Sequence, residues 1–230
     1  MTIARRFIRI LDRIIDYALS IVFLLIMLIG SYIVYDTGWV YYHTEADIAA
    51  IRFEKESPEV VAALDDGAIG WITVDNTKID YPLMQGDDNS EYLNKNPYGE
   101  YALSGSIFLD SRNAADLSDP YSLIYGHHMA NDMMFGALDH FKNEKYFTEH
   151  RSGVLTAQGV DMELTLFAFM TVDASEEIIF NPESSAGILD YIQHNASIYF
   201  PPGEGRVVAL STCKSPYSTQ RTVVFGMIGD

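Results

Sequence analysis

The hydrophobic pattern divides the chain into two regimes. From Tyr17 to Tyr35 it reads YALSIVFLLIMLIGSYIVY, 19 residues without a charge. A helix of that length covers about 28 Å, close to the hydrocarbon thickness of a bilayer. A core helix of a soluble domain carries a polar face, and this stretch has none. A cleaved signal peptide has a shorter apolar region and ends in a small-x-small site. Here the run ends in Tyr32, Ile33, Val34 and Tyr35, so an uncleaved membrane anchor is expected. Arg5, Arg6, Arg9 and Arg13 precede it. The positive-inside rule then keeps the N-terminus in the cytoplasm and puts everything after Asp36 outside.

Beyond the span the period changes. Ala46 to Leu64 has a helical spacing of apolar residues, with Ala49, Ala50, Phe53, Val60, Val61 and Leu64 among charged neighbours. Ser57, Pro58 and Glu59 form an N-cap with proline at the first helical position, which predicts two helices broken at Ser57. From Gly67 onward short β-rich runs alternate with turn residues. They are Ala68–Val74, Ile79–Met84, Ser106–Asp110, Ser122–His128, Gly153–Ala157, Met162–Val172, Arg206–Cys213 and Arg221–Ile228. Eight strands with varied spacing predict a closed or nearly closed barrel rather than a βαβ sheet. A short helix over Met134–Phe141 and a longer one over Ser184–Ile198 interrupt them. The expected organisation is a tail over residues 1–16, an anchor over 17–35, a helical linker over 36–66 and a mainly β domain over 67–230.

Charge sharpens this division. The 230 residues hold 15 Lys and Arg against 32 Asp and Glu, a formal −17. The first 16 residues carry four Arg and two Asp, a net +2, so the remainder carries −19. A domain that acidic lacks the basic footprint of nucleic-acid binding. There is one cysteine, Cys213. That excludes an intrachain disulfide framework and a zinc site of paired cysteines.

A free cysteine is more often a small buried hydrophobe than a nucleophile. Three features point the other way. Cys213 ends an apolar strand beside the turn-rich segment KSPYSTQ, where reactive groups usually sit. Arg221 opens the next strand, and a hairpin would bring it beside the sulfur. His127 follows Gly126 at the end of another strand, and its ring can project into the same mouth. Cys, His and Arg are the minimum set for thiol acyl transfer. An unperturbed thiol has a pKa of about 8.5, and an acidic surface raises it. Local positive charge is needed to lower it. A histidine can protonate the leaving amine, and an arginine offers several fixed donors to a tetrahedral oxyanion.

These residues resemble a known family. ALSTC (Ala209–Cys213), with Arg221 eight residues on, is similar to the sortase signature of a TLxTC strand followed by a distal arginine. IYGHHM (Ile124–Met129) with MFGALDHF (Met134–Phe141) resembles the histidine region of class B sortases. Ala209 stands where threonine is usual. The resemblance implies an eight-stranded sortase-like β-barrel, with N-terminal helices and a helical insertion before the cysteine strand, behind one transmembrane helix. It implies a membrane-anchored cysteine transpeptidase. Such an enzyme cuts the C-terminal sorting signal of a secreted protein, holds it as a thioacyl-enzyme and passes it to an amine. By motif, His127 is the catalytic histidine, Cys213 the nucleophile and Arg221 the oxyanion or substrate clamp. Ser211 and Thr212 match positions near the bound signal, and His128 matches no catalytic role. The implied acceptor is an amine of a peptidoglycan precursor, with a pilin lysine as the alternative. No cofactor is implied.

Rival readings remain in the residues. His127 and His128 are adjacent, and neighbours on a strand face opposite ways, which disfavours a shared metal ion. An EF-hand loop beginning at Asp87 would need Gly at 92 and Glu at 98, where the chain has tyrosines. That acidic run reads as a solvated loop. The same thiol chemistry with water as acceptor would make a cysteine protease. An inert buried Cys213 would make a non-catalytic anchored binding module.

Overall fold

The structure is a computed structural model that describes residues 3–53, 63–213 and 218–229. It separates into two compact units, residues 1–44 and 45–230. Helix α1 is continuous over Ile3–Phe53. Within it, Arg6–Thr44 is long and apolar enough to cross a membrane. Its apolar side chains are exposed, Phe23, Leu28 and Val34 among them. Such a surface is unfavourable in water and suited to lipid. The expected helix break at Ser57 lies outside the described residues.

The strands of the second unit are β1 (Ala68–Val74), β2 (Asp80–Met84), β3 (Ile107–Leu109), β4 (Tyr121–Tyr125), β5 (Ser152–Ala157), β6 (Val160–Asp173), β7 (Ile198–Tyr199), β8 (Arg206–Cys213) and β9 (Gln220–Ile228). Eight of them pair in the order β5-β1-β2-β3-β4-β8-β9-β6, and β5 pairs with β6 to close the ring. The barrel predicted from the eight runs is therefore present. β7 is a two-residue addition against β6. It is too short to show an alternating pattern in the sequence.

Most neighbours are antiparallel, but β2–β3 and β4–β8 are parallel. Parallel neighbours need crossovers. The crossover from β4 to β8 carries a 3-10 helix (Phe135–Lys142), a short α-helix (Glu144–Glu149) and strands β5 to β7. Between β6 and β7 lies the insertion, with short helices at Glu177–Phe180 and Pro182–Ser184 and α-helix Ile188–Asn195. The single helix expected over Ser184–Ile198 is thus shorter. It starts after Gly187, whose φ of 84° is left-handed, and it ends where Ala196 turns extended.

Strands β4, β8 and β9 are buried on both faces. Leu123, Val207, Ala209, Val223 and Phe225 pack with Ile179, Ile188 and Ile192 of the insertion. Their sequence neighbours Ile124, Val208, Leu210 and Val224 are also fully buried. Two-sided burial explains why these strands read as continuous apolar runs instead of alternating ones. β4 stops at Tyr125, so His127 and His128 stand beyond the strand and not on its end as expected. Gly126 marks the departure. A Cβ there would lie 2.4 Å from Ile107 Cδ1 and 2.7 Å from the Phe135 ring.

Barrel closure depends on a second close approach. A Cβ on Gly70 would fall 1.9 Å from the Thr156 carbonyl oxygen across the β1–β5 ladder. Gly70→Ala is therefore expected to cost about 1–3 kcal/mol as overpacking. The readout is a lower midpoint in chemical unfolding with an unchanged slope.

Candidate active site

The ends of β4, β8 and β9 meet at a cleft of about 230 Å³. β8 is the middle strand of the three. Its parallel partner places Tyr125 beside Ser211, and its antiparallel partner places Arg221 opposite Cys213. The cleft is lined by Tyr125, Gly126 and His127 on one side and by Ser211, Thr212 and Arg221 on the other. Asn89, Leu93 and Phe108 complete the wall. The structure thus brings His127, Arg221, Ser211 and Thr212 to one cavity. Cys213 reaches the same strand end by its backbone register, while its side chain lies outside the described part.

Ser211 and Thr212 are 1% and 2% exposed. Their hydroxyls have no hydrogen-bond partner among the described residues. An unsatisfied buried hydroxyl costs about 1–3 kcal/mol, so two of them lining one cleft are placed to serve a polar ligand. The Arg221 guanidinium is half-buried. Its Nη1 donates to the carbonyls of Ser218 (3.1 Å) and Gln220 (3.4 Å). Nε and Nη2 make no hydrogen bond among the described residues. Nearby Asp173 is held below the usual carboxylate range, mainly by the Ser175 hydroxyl and N–H, with Thr219 and the Arg221 charge adding to them.

His127 is fixed from the other wall. Its Nε2 donates to the Leu93 carbonyl at 2.7 Å. A carbonyl only accepts, so the proton sits on Nε2 and Nδ1 is left as the basic nitrogen. Leu93 ends a 3-10 helix (Glu91–Leu93) that is itself braced. Tyr92 Oη donates to Asp65 at 2.6 Å, and Lys95 Nζ lies 2.7 Å from Asp65 and 3.0 Å from Glu91. The bond from Lys95, then that from Tyr92, holds the Asp65 carboxyl low. His128 takes a different partner, Asp139 Oδ2 at 3.0 Å, and Thr222 Oγ1 donates to Asp139 Oδ1 at 3.3 Å. The two adjacent imidazoles therefore diverge. Among the described residues no group of three His, Cys, Asp or Glu is placed to hold a metal ion.

Behind the wall lies a buried carboxylate. Asp110 is fully buried and accepts from Arg112 Nη2 (2.7 Å), Arg112 Nε (2.8 Å), the Arg112 N–H (3.0 Å), Asn89 Nδ2 (2.8 Å) and Tyr125 Oη (3.1 Å). Burial pushes its pKa up. The donors outweigh that, Arg112 first, and hold it below its ordinary 3.8. Two of those donors, Asn89 and Tyr125, line the cleft. Sequence reasoning missed both. Asn89 sits in the acidic run read as a solvated loop, and no local signal ties it to a site 38 residues away at His127. Tyr125 becomes visible once β4 is known to pair with β8.

Asp110→Asn would turn an acceptor oxygen into a donor facing other donors. Removing one partner of a buried pair is expected to cost about 3 kcal/mol. The pH dependence has a definite sign. The folded carboxyl titrates below its unfolded value, so its stabilisation is complete above the unfolded pKa and fades as pH falls through the folded one. The stability gap between wild type and variant should be constant above about pH 5 and shrink below about pH 4. Unfolding curves at stepped pH give this directly.

Comparison with known proteins points one way. The Sortase domain family matches residues 72–228. Sortase B of Listeria monocytogenes is 31% identical over 175 residues, covering 72% of this chain and 71% of the relative. A crystal structure of a Streptococcus pyogenes class B sortase involved in pilus biogenesis is 36% identical, with a TM-score of 0.70 over 76% of this chain and 100% of that one. Sortase B from Bacillus anthracis, solved in complex with AAEK1, is 27% identical, with a TM-score of 0.71 over 83% of this chain and 98% of that one. A family match over residues 72–228, on a closed barrel whose cysteine strand pairs with an arginine strand, places this chain in the sortase family as a class B cysteine transpeptidase.

Proposed function

We propose that this chain cuts a sorting signal near the C-terminus of secreted proteins and transfers the acyl portion to an amine at the cell surface. The observation that carries the assignment is the β8–β9 register. It sets Cys213 across the ladder from Arg221, at a cleft that His127 also lines. Residues 17–35 anchor the enzyme with residues 1–16 in the cytoplasm, and the barrel of residues 67–230 works outside.

Each residue has one task. Cys213 passes its thiol proton to Nδ1 of His127 and attacks the scissile carbonyl as the thiolate. Arg221 donates to the oxyanion that forms, and its fork of N–H groups suits that better than a lysine point charge. His127 protonates the departing amine as the tetrahedral species collapses to a thioester. The Nε2–H bond to Leu93 directs that exchange through Nδ1. The incoming amine then attacks the thioester and loses a proton to His127, and the thiolate leaves. Ser211 and Thr212 supply hydroxyls to the bound signal.

The acceptor read from the sequence is an amine of a peptidoglycan precursor. A specific observation favours a second acceptor, the lysine of a pilin subunit. It is the 36% identity to the S. pyogenes enzyme of pilus biogenesis.

The test is a screen of the protein against a sorting-peptide library, with a peptidoglycan-stem amine and a lysine peptide offered together and products read by mass. An amine-linked product is expected, and release of free acid alone would indicate a protease. Cys213→Ala should abolish cleavage without unfolding the barrel, and near wild-type turnover would overturn the mechanism. Arg221→Lys should reduce kcat by about 100-fold or more, as loss of an oxyanion donor does. Native Cys213 should react with a small alkylating reagent, and a protected thiol would favour a binding module.

A further inference from the structure

The loop that carries His127 runs through left-handed backbone and holds one residue, Met134, in a geometry it disfavours. Asn131, Asp132 and Met134 have φ values of 58°, 61° and 51°, and none is glycine. Met134 has ψ −128°, a geometry that a side chain rarely adopts. Such residues persist only where their surroundings over-determine them. The surroundings here are identifiable. The Met134 N–H donates to Tyr81 Oη at 2.7 Å. Met134 bridges back to His128, and the Phe135 N–H donates to the His127 carbonyl at 3.0 Å. Lys78 Nζ donates to the Asn131 carbonyl at 2.8 Å.

Two of these grips, Lys78 and Tyr81, flank the start of β2. The same segment is held from its other side by Arg52, near the end of α1. The Arg52 guanidinium lies 4.7 Å above the Tyr81 ring centroid. Its Nε donates to the Asp80 carbonyl at 2.8 Å, and Nη2 donates to the Lys78 carbonyl. Tyr81 is 3% exposed, so its hydroxyl has a fixed address. A cation over the ring face and two bonds to the flanking carbonyls fix that ring in turn.

We infer that Tyr81 is a positioning residue for His127, acting through the Met134 N–H, and that Arg52 holds Tyr81 in place. The inference rests on the reading of His127 as the acid–base residue. The hydroxyl supports the strained turn, the turn sets the His127 backbone, and the backbone sets the reach of Nε2 to Leu93. Neither Tyr81 nor Arg52 lines the cleft. Their effect is on where the imidazole stands, not on what touches the substrate.

Tyr81→Phe tests this with little change in shape. The ring and the cation above it remain, and the hydroxyl is lost, both as acceptor for the Met134 N–H and as a polar partner of the Arg52 side chain. The full-length protein in detergent micelles is labelled with 15N-histidine, and the His127 signal is assigned by its absence in His127→Ala. Wild type should show the Nε2–H tautomer alone, and Tyr81→Phe should show a mixture. Amide exchange at Phe135 should quicken about tenfold, the factor for one lost hydrogen bond to a buried donor, while Val223 in β9 keeps its rate. On the donor peptide returned by the library screen, kcat should fall by a similar factor with KM unchanged. Arg52→Leu should move the same signals in the same direction.

A wild-type His127 signal and Phe135 rate in Tyr81→Phe would overturn the inference. Equal acceleration at Phe135 and Val223 would also overturn it, because that is general destabilisation. The underlying reading fails separately: undiminished turnover by His127→Ala would remove His127 from catalysis even if Tyr81→Phe shifts its tautomer.

Discussion

The site depends on the register of β8 between its two neighbours. β8 runs parallel to β4 and antiparallel to β9, so one strand end collects residues from both. Tyr125 arrives beside Ser211, and Arg221 arrives opposite Cys213. Strand periodicity makes this unforgiving, because a one-residue slip turns every side chain to the other face. Burial on both faces does not by itself set the register, since β8 and β9 would bury apolar groups either way. The insertion helices pack on one face of this pair. They pack Ile179, Ile188 and Ile192 against Ala209, Val223 and Phe225, and small Ala209 leaves room for that layer. The register that serves this apolar packing is also the one that brings Ser211, Thr212 and Arg221 to the cleft.

Polar positioning around the cleft is done by buried or braced carboxylates. Asp110 gathers Arg112, Asn89 and Tyr125, and Asp65 gathers Tyr92 and Lys95. Both hold wall residues rather than substrate. Asp110 fixes the side chains of Asn89 and Tyr125, and Asp65 fixes the turn that presents the Leu93 carbonyl to His127. In a chain of this composition, acidic groups are the abundant building material. Arg112 extends the first network outward, since it also donates to the Asn181 side chain and the Phe180 carbonyl of the insertion. The wall and the insertion are therefore one hydrogen-bonded assembly.

Much of this could be read from the sequence where the signal was local. The long apolar helix, the barrel and the exact limits of β1 and β8 follow from runs of apolar residues with punctuation at their ends. His127 and Arg221 lie at one cleft because their motifs flank strands that prove to be neighbours of β8. The rest depended on pairing that no local pattern encodes. Asn89 is tied to the cleft wall by Asp110, a carboxylate just past the end of β3, and Leu93 serves through its carbonyl, which has no sequence signature. His127 was expected on a strand. It stands past one because Gly126 lets the chain leave the sheet against Phe135. The insertion helix was expected to be longer because its apolar spacing continues to Ile198, yet Ile198 is taken by β7.

The excess negative charge also acquires a limit. At physiological ionic strength exposed charges are screened beyond about 8 Å. The acidic surface is thus a weak influence at the β8 end, where the nearest charges outweigh it. Arg221 is the cation across the ladder from Cys213. The screened field still acts on approach, because an acidic surface concentrates cations near it. A protonated amine is such a cation, but it must lose its proton before it can attack a thioester. Surface charge therefore acts on approach alone, and in the mechanism proposed above the deprotonation falls to Nδ1 of His127, the ring nitrogen that the Leu93 carbonyl does not occupy.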